Sequence, residues 1–279
     1  MNGPAAPTYH EYAVRRELAT TFSCAWVWSA AQASSGAANE RSRSIPNGCA
    51  ELIWHPMREE LVVGGPSSAP AETVRTTDLV VGLRFRAGGV RAMSAVPMAD
   101  LIDRTVPVDA VGGPAWRDAA PAGAGAAATP GAALRLLQAA LIHRRLIDAD
   151  QLDATITRAV ANLSSSTRAR HAAEAAFCSD RQLRRRFRQV VGVSPKQLQR
   201  IGRFQRVLSL LPLAATHSMT LGRIAAAAGY CDQAHLVDDC RRFGGLTPSG
   251  LMRELSESCW PHHDHGVSLG STAPPRPRA

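Results

Sequence analysis

Residues 170–195 read RHAAEAAFCSDRQLRRRFRQVVGVSP, and residues 223–248 read RIAAAAGYCDQAHLVDDCRRFGGLTP. The two stretches are one 26-residue pattern written twice, 53 positions apart. Each runs from an Arg through an alanine-rich segment, an aromatic residue, a cysteine, Leu, Arg and Gly to a closing Ser-Pro or Thr-Pro. Nine aligned pairs are identical: Arg170/Arg223, Ala172/Ala225, Ala173/Ala226, Ala175/Ala228, Cys178/Cys231, Leu183/Leu236, Arg188/Arg241, Gly192/Gly245 and Pro195/Pro248.

A duplicated short helical unit suits a partner that is itself periodic. Two copies held by one connecting segment can present two equivalent helices to that partner. Duplex DNA offers an equivalent major-groove segment every helical turn, about 34 Å apart. The duplication therefore favours double-stranded DNA as the partner.

The positive charge of the chain is concentrated on the duplicated region. The 279 residues include 32 Lys/Arg and 23 Asp/Glu, which gives a formal net charge of +9. Residues 164–255 hold 15 of the basic and 6 of the acidic residues, so the whole excess lies there. A basic segment next to a neutral one is typical of proteins that bind polyanions.

Length and composition limit the remaining architecture. A chain of 279 residues with 45% apolar content predicts two domains with real cores. It has no run of 18 apolar residues, which predicts no membrane span, and residues 1–17 lack the apolar core of a signal peptide, so we expect a cytoplasmic protein. The six cysteines form no C-x-x-C pair and are expected to be free thiols. Packing explains Cys178 and Cys231 better than redox sensing, because they occupy matching repeat positions.

Patterns typical of β-strands dominate residues 21–91. Short runs rich in β-branched and aromatic residues, separated by turn-forming Gly and Pro, occur at 22–30, 50–55, 61–64 and 78–86. A strand with one buried face is indicated by the alternating Leu79, Val81, Leu83 and Phe85. Residues 39–43 look like a polar loop. We therefore predict that residues 1–111 form a small antiparallel β domain, either a barrel or a sandwich.

A linker and helices are predicted over residues 112–163. Residues 112–132 are rich in Gly, Ala and Pro and predict a flexible linker. Apolar residues at helical spacing predict a helix over 133–147, which either pairs between chains or caps its own domain, and a further helix over 150–163. Residues 256–279 are predicted to be a disordered tail whose histidines bind no metal: His262, His263 and His265.

The first copy of the repeat resolves into a helix-turn-helix unit. Residues 169–176 predict an alanine-rich helix, and residues 177–178 turn the chain. Ser179 or Asp180 can cap a second helix that runs to about residue 190.

The second helix of this unit has one apolar stripe among arginines. Leu183, Phe187 and Val190 lie on one face at i, i+4 and i+7. A guanidinium group can form paired hydrogen bonds with guanine or with phosphate, which suits a helix in a major groove. The arginines on the other faces are Arg181, Arg184, Arg185 and Arg188.

A long connector and a second unit follow. Gly192 ends the first unit, and residues 195–211 predict a rigid helical spacer about 25 Å long. Residues 221–228 predict the scaffold helix of the second unit, with Gly229 in the turn. The predicted N-cap, second helix and last helix are Asp232, 233–242 and 248–255.

These motifs resemble the DNA-binding domain of AraC/XylS-type bacterial transcription regulators. The matching phrases are Ser179-x-x-x-Leu183-x-x-x-Phe187, Gly192-x-Ser194-Pro195, Ile224-Ala225 with Gly229-Tyr230, and Gly245-x-Thr247-Pro248. The resemblance covers residues 164–255 and implies two helix-turn-helix units joined by a long helix, with recognition helices in successive major-groove segments. The whole chain is then an α+β protein: a small antiparallel β domain, a helical linker and an all-α C-terminal domain.

The resemblance also implies which residues face the bases. In the first recognition helix they are Arg181, Arg184 and Arg185, and in the second they are Ala234, Val237 and Asp238. The second set departs from the common polar or basic pattern, and a carboxylate is repelled by phosphates although it can accept a hydrogen bond from cytosine. We therefore expect the first unit to supply most of the affinity and Asp239 to cap or brace the fold. The candidate DNA-binding residues are Ser179, Arg181, Gln182, Arg184, Arg185, Arg188, Arg203, Gln233, Ala234, His235, Val237 and Asp238.

The front half is similar to the small β-rich domain that precedes the DNA-binding domain in one subgroup of this family. The similar phrases are IPNGCAELI at 45–53 and FRAGG at 85–89. In the wider family the front domain senses a small molecule or mediates dimerisation, and this implication is by analogy. The expected partners are promoter DNA and RNA polymerase, with a small-molecule effector and a homodimer left open, and no cofactor or metal. Activation and repression both stay open, with activation as the working expectation.

Two other classes compete with this interpretation. One is a thiol-dependent enzyme fused to a DNA-binding module, but Cys49 has no convincing local base, and His55 beside Trp54 is more often structural. P-loop, nucleophile-elbow and zinc-ligand spacings are missing from the sequence. The other is a basic protein-interaction or RNA-binding module, but the basic region lacks the aromatic residues expected for stacking on single-stranded bases.

Overall fold

The front part of the molecule is an antiparallel sheet. The computed structural model describes residues 8–29, 41–74, 78–121, 129–165, 176–217 and 219–257. Six strands are hydrogen-bonded in the order β1 (Thr8–Tyr12), β2 (Phe22–Ser29), β7 (Val80–Phe85), β4 (Glu51–His55), β5 (Glu60–Gly64) and β8 (Thr105–Pro107). A second sheet pairs β3 (Arg41–Ser44) with β6 (Ala71–Val74).

One face of the six-stranded sheet carries the core of this part. Leu52 on β4 lies opposite both Leu83 on β7 and Val63 on β5, and all three side chains are completely buried. Helix α1 (Val108–Gly112) follows β8, and α2 (Pro130–His143) packs on the same core. The apolar face of α2 contributes Leu134, Leu137 and Leu141. Helix α2 therefore caps its own domain, which was one of the two predicted alternatives.

The flexible linker predicted at 112–132 is wrong where the structure describes it. Trp116 is 2% exposed and Ala119 is 0% exposed, and both belong to the core of the front part. Pro114–Trp116 forms a turn of 3₁₀ helix, and α2 begins at Pro130. Burial of the Trp116 ring outweighs the flexibility that the surrounding Gly and Ala residues suggest. Residues 122–128 lie outside the described residues.

The helical part is built on two cores that meet along one long helix. Its helices are α3 (Ala154–Ser165), α4 (Asp180–Val190), α5 (Pro195–His217), α6 (Leu221–Ala228), α7 (Gln233–Asp239) and α8 (Pro248–Glu257), with a π-helical turn at Cys240–Gly244. The first core joins Ile156 of α3 to Phe187 of α4 and Leu198 of α5. The second joins Phe204 of α5 to Leu236 of α7. The predicted α+β fold class is confirmed.

Three local predictions were wrong. Residues 39–43 were expected to form a loop, but Arg41–Ser44 is strand β3, because pairing with β6 satisfies its backbone groups. The spacer predicted to end at residue 211 continues through Pro212 to His217. Leu208 and Leu211, one turn and one residue before Pro212, are buried in the second core, and this packing holds the helix together where the proline N–H is missing. The second recognition helix, expected to run to about residue 242, changes to π-helical geometry at Cys240.

We predict that Phe187→Ala unfolds the first helix-turn-helix unit. The Phe187 side chain is 0% exposed at the centre of the first core, so its loss should cost about 3–5 kcal/mol. Arg188→Ala, on the exposed face of the same helix, is the matched control and should change stability little. Urea denaturation followed by circular dichroism measures both, and unchanged unfolding of the Phe187 variant would contradict the packing described here.

Candidate nucleic-acid interface

Helix α4 is presented by a tight turn and a capping box. Phe177 has a φ of 51°, in the left-handed region, and 85% of its surface is exposed. The Ser179 hydroxyl accepts a hydrogen bond from the Gln182 amide, and the Gln182 side chain accepts one from the Ser179 amide at 3.0 Å. Ser179 is thus the N-cap, and Asp180 is the first helical residue. Apart from Ala176, the helix predicted at 169–176 lies outside the described residues.

The apolar stripe of α4 is buried and its arginine faces are exposed. Leu183, Phe187 and Val190 all lie in the first core, as the i, i+4, i+7 spacing predicted. Ser179 and Gln182 are also exposed, but their side chains are used in the capping box. The exposed guanidinium-bearing residues of the candidate set are Arg181, Arg184, Arg185 and Arg188.

Two α4 arginines interact with neighbouring side chains. Arg184 forms an ion pair with Asp180 one turn earlier, and both side chains are more than half exposed. Such a pair is worth only about 0.3–0.5 kcal/mol, so Arg184 can exchange it for another anion. Arg186 donates to the Thr155 hydroxyl at 2.9 Å and is therefore directed toward α3. Arg186 was not among the candidate residues.

Helix α7 presents a less basic surface. Gly229 takes the turn with a φ of 83°, and the Asp232 side chain caps α7 by accepting from the His235 amide at 2.9 Å. That hydrogen bond and the one from the His235 ring lower the pKa of the Asp232 carboxyl. Gln233, Ala234, His235 and Asp238 are exposed. Val237 is half-buried against the second core, so only part of its side chain can reach a partner.

Asp239 braces the second unit from inside. It is 2% exposed, and its carboxylate accepts hydrogen bonds from Arg200 of α5 and, at 3.1 Å, from the Tyr230 hydroxyl. Burial and the neighbouring Asp239 charge raise the pKa of Tyr230. The network ties α7 to α5 and to the turn before α7. This geometry agrees with the expectation that Asp239 has a structural role. The sequence alone did not identify Arg200 as the partner of Asp239.

Two further arginines of α5 lie against the turn of the second unit. The Arg203 guanidinium lies over the Tyr230 ring, 5.2 Å from its centroid, and Arg206 donates to the Ala228 carbonyl at 3.3 Å. Burial and the adjacent positive charge of Arg203 lower the pKa of Arg206. Both side chains are half-buried, so phosphate contact by Arg203 stays a prediction.

The thiols show no common environment. Burial raises the pKa of Cys24 and Cys240 to about 12 and that of Cys49 to about 11. Cys178 is half-buried, whereas its repeat counterpart Cys231 is exposed, so packing does not explain both.

The part of the chain that the structure describes has neither a candidate metal site nor a candidate membrane span. That part contains no cluster of three or more His, Cys, Asp or Glu side chains suited to a metal ion. None of its helices combines the length and the apolar character needed to cross a bilayer. The tail histidines lie outside the described residues.

We predict that Arg200→Ala destabilises the second unit by about 3 kcal/mol. Asp239 is buried, and loss of a buried carboxylate's partner costs about 3–5 kcal/mol; the 31% exposure of the Arg200 side chain and the remaining Tyr230 hydrogen bond favour the low end. Arg223→Ala, on the exposed side of α6, is the control and should be nearly neutral. Chemical denaturation checks the pair, and equal midpoints for the two variants would show that the network contributes nothing.

Comparison with known proteins covers both parts of the chain. Residues 172–254 match the family model described as a helix-turn-helix domain, and residues 10–107 match a domain of unknown function, DUF6597. No curated protein matches the chain. The solved structures that are similar include ToxT from Vibrio cholerae O395, at 12% identity and a TM-score of 0.40, covering 90% of this chain and 99% of that one. Another is wild-type ToxT with bound unsaturated fatty acid, at 10% identity and a TM-score of 0.38, covering 90% and 97%.

The two domain matches coincide with the two parts of the fold. The helix-turn-helix match spans both capped recognition helices and the long helix between them. The front match spans the antiparallel sheet from β1 to β8. The chain therefore carries a helix-turn-helix domain of the type found in DNA-binding transcription regulators, with a DUF6597 domain in front of it.

Proposed function

We propose that α4 and α7 bind successive major-groove segments of one promoter duplex. The observation that carries this proposal is the exposed arginine surface of α4, whose opposite face is fixed in the first core. In this proposal Arg181, Arg184 and Arg185 reach base edges, and Arg188 binds phosphate. Bidentate arginine contacts to guanine specify sequence, and phosphate contacts fix register.

The second recognition helix has a smaller share of the binding energy in this proposal. Gln233, Ala234 and His235 lie at the exposed N-terminal end of α7, where side chains of a recognition helix meet base edges. Asp238 is exposed on the same helix and can accept a hydrogen bond from cytosine N4, but it weakens the attraction to phosphate. The second unit therefore contributes orientation and weak sequence readout.

Further partners follow from action at a promoter. We propose RNA polymerase as the second macromolecular partner and the cytoplasm as the place of action. The front domain is the proposed place for a small-molecule effector or for contact with a second copy of the chain, by analogy with the wider family. We also propose that the chain is not an enzyme: the Cys49 thiol, with a pKa raised to about 11, is a poor nucleophile at neutral pH.

The test is DNA binding by the full chain to a duplex that it selects from a random-sequence library. Affinity should fall steeply as salt rises, because each phosphate contact releases counterions. Arg185→Ala should cost about 1–3 kcal/mol and relax specificity at one base position. An equal loss on all sequences would instead place Arg185 on phosphate.

Arg186→Ala is the matched control for Arg185→Ala. It removes the same charge from the same helix, but the Arg186 side chain is bonded to α3. Its loss should weaken binding less and leave sequence preference intact. Binding that is insensitive to salt, or equal behaviour of the two variants, would contradict the proposed contact surface.

A further inference from the structure

The front domain contacts both helix-turn-helix units at once. Against the first unit, the loop after β7 places Gly88 so close to α3 and α4 that an added Cβ would lie 3.1 Å from Val190 and 3.2 Å from Ile156. An added Cβ at Gly192, which ends the first unit, would lie 3.1 Å from the Met98 carbonyl oxygen of the front domain. At these two points the surfaces approach too closely for water to lie between them.

The contact with the second unit is made by the segment after β3. Ile45 is 7% exposed and belongs to the core of the second unit, although it is part of the front domain. An added Cβ at Gly48 would lie 2.6 Å from Leu198 of α5. Gln205 of α5 donates a hydrogen bond to the Pro46 carbonyl. This segment therefore packs along α5, between the two units.

A third point of contact lies at the far end of the second unit. Arg43 forms an ion pair with Glu254 of α8 at 3.4 Å, and both side chains are about three-quarters buried. An added Cβ at Gly245 would lie 2.8 Å from the Arg43 guanidinium. Gly245 is the repeat counterpart of Gly192, so the front domain contacts the two units at equivalent positions.

The contacting segment is anchored in the front sheet. The Asn47 side chain donates to Glu51 at 3.2 Å and accepts from the Cys49 amide at 2.9 Å. Glu51 also accepts from Arg84 at 2.8 Å, and Arg84 is 8% exposed within β7. A chain of hydrogen bonds thus runs from a buried arginine to the segment that packs on α5, which restricts the movement of that segment.

The front-domain contacts described above leave the candidate DNA-facing side uncovered. They involve the C-terminal ends of the units and the side of α5 that bears Leu198 and Gln205. The arginines of α4 and the N-terminal residues of α7 remain exposed. A front domain that blocked DNA binding by steric overlap would cover these residues instead.

We infer that the front domain is a brace, which fixes the position of one helix-turn-helix unit relative to the other. The bracing elements are the segment 43–48 and the loop 86–89, and they include parts of the two phrases that mark the front domain in the sequence. The inference rests on the proposed two-groove binding. A fixed arrangement raises the effective concentration of the second recognition helix once the first is bound, and this increases affinity for the full site.

Gly48→Ala tests the brace, with Gly113→Ala as the matched control. Both glycines have positive φ, 75° and 80°, so both substitutions strain the backbone. The ψ of −173° at Gly113 is tolerated by glycine almost alone, so an effect confined to Gly48→Ala does not come from backbone strain. Only Gly48 faces α5, because no described atom lies within 4 Å of a Cβ added at Gly113. The difference between the two full-length variants therefore reports on the interface.

Two measurements follow on these variants. The first is amide hydrogen exchange in segments 86–92 and 245–254, which touch the interface but contain neither substitution. The second is the affinity for a duplex selected from the random-sequence library, and for the same duplex with one half of its site randomised. Each half is the major-groove segment that the bound protein protects from cleavage in a footprint. We expect faster exchange in both segments for Gly48→Ala alone. We also expect about a tenfold loss of affinity for the intact duplex and less than about a twofold change for the single-segment duplex.

A charge reversal gives an independent variant in case Gly48→Ala does not fold. Arg43→Glu and Glu254→Arg should each weaken binding to the intact duplex. The double variant should restore binding, because the ion pair forms again with the two charges exchanged. Equal behaviour of Gly48→Ala and Gly113→Ala, or higher affinity of the loosened variants for the intact duplex, would overturn the brace. If the wild-type chain selects no duplex, the proposed DNA contacts fail, while the exchange comparison still decides whether the domains are docked.

Discussion

Helix α5 is the constraint on which the rest of the structure depends. Its 23 residues, about 35 Å long, belong to both cores of the helical part. Leu198 lies in the first core, and Ile201, Phe204 and Val207 lie in the second, all of them completely buried. Because interiors are close-packed, neither unit can rotate about α5 without losing these contacts. Packing along α5 therefore sets the relative position of the recognition helices, and the front-domain contacts hold that arrangement from a second side.

The two units use polar residues differently around that helix. In the first unit the arginines lie outside, on the exposed faces of α4. In the second, Arg200 turns inward to a buried carboxylate, while Arg203 and Arg206 lie against the turn before α7. Among the recognition helices, exposed arginines thus lie on α4 and not on α7, because the exposed arginines of the second unit lie outside α7: Arg223, Arg241, Arg242 and Arg253. This asymmetry supports the proposal that the first unit supplies most of the affinity for DNA and the second unit supplies orientation.

Short sequence patterns predicted the helical part well, because helix caps and turns depend on residues that are close together in the sequence. Ser179, Asp232 and the apolar stripe of α4 needed no knowledge of distant residues. The Gly- and Ala-rich stretch at 112–121 led to the wrong prediction of a flexible linker, because composition does not show that Trp116 enters a core. The partner of Asp239 could not be predicted either, because Arg200 lies 39 positions away and only the fold brings them together. The DNA contacts themselves remain predictions from exposure and resemblance.

On one rigid frame, the two recognition helices should bind one face of a single duplex. The most direct measurement is the affinity of the wild-type chain for a selected duplex with about five base pairs, half a helical turn, inserted between its two protected groove segments. Affinity should fall to that of a duplex with one intact segment, because α5 and the packed cores cannot follow the rotation. Undiminished affinity for the inserted duplex would contradict this prediction.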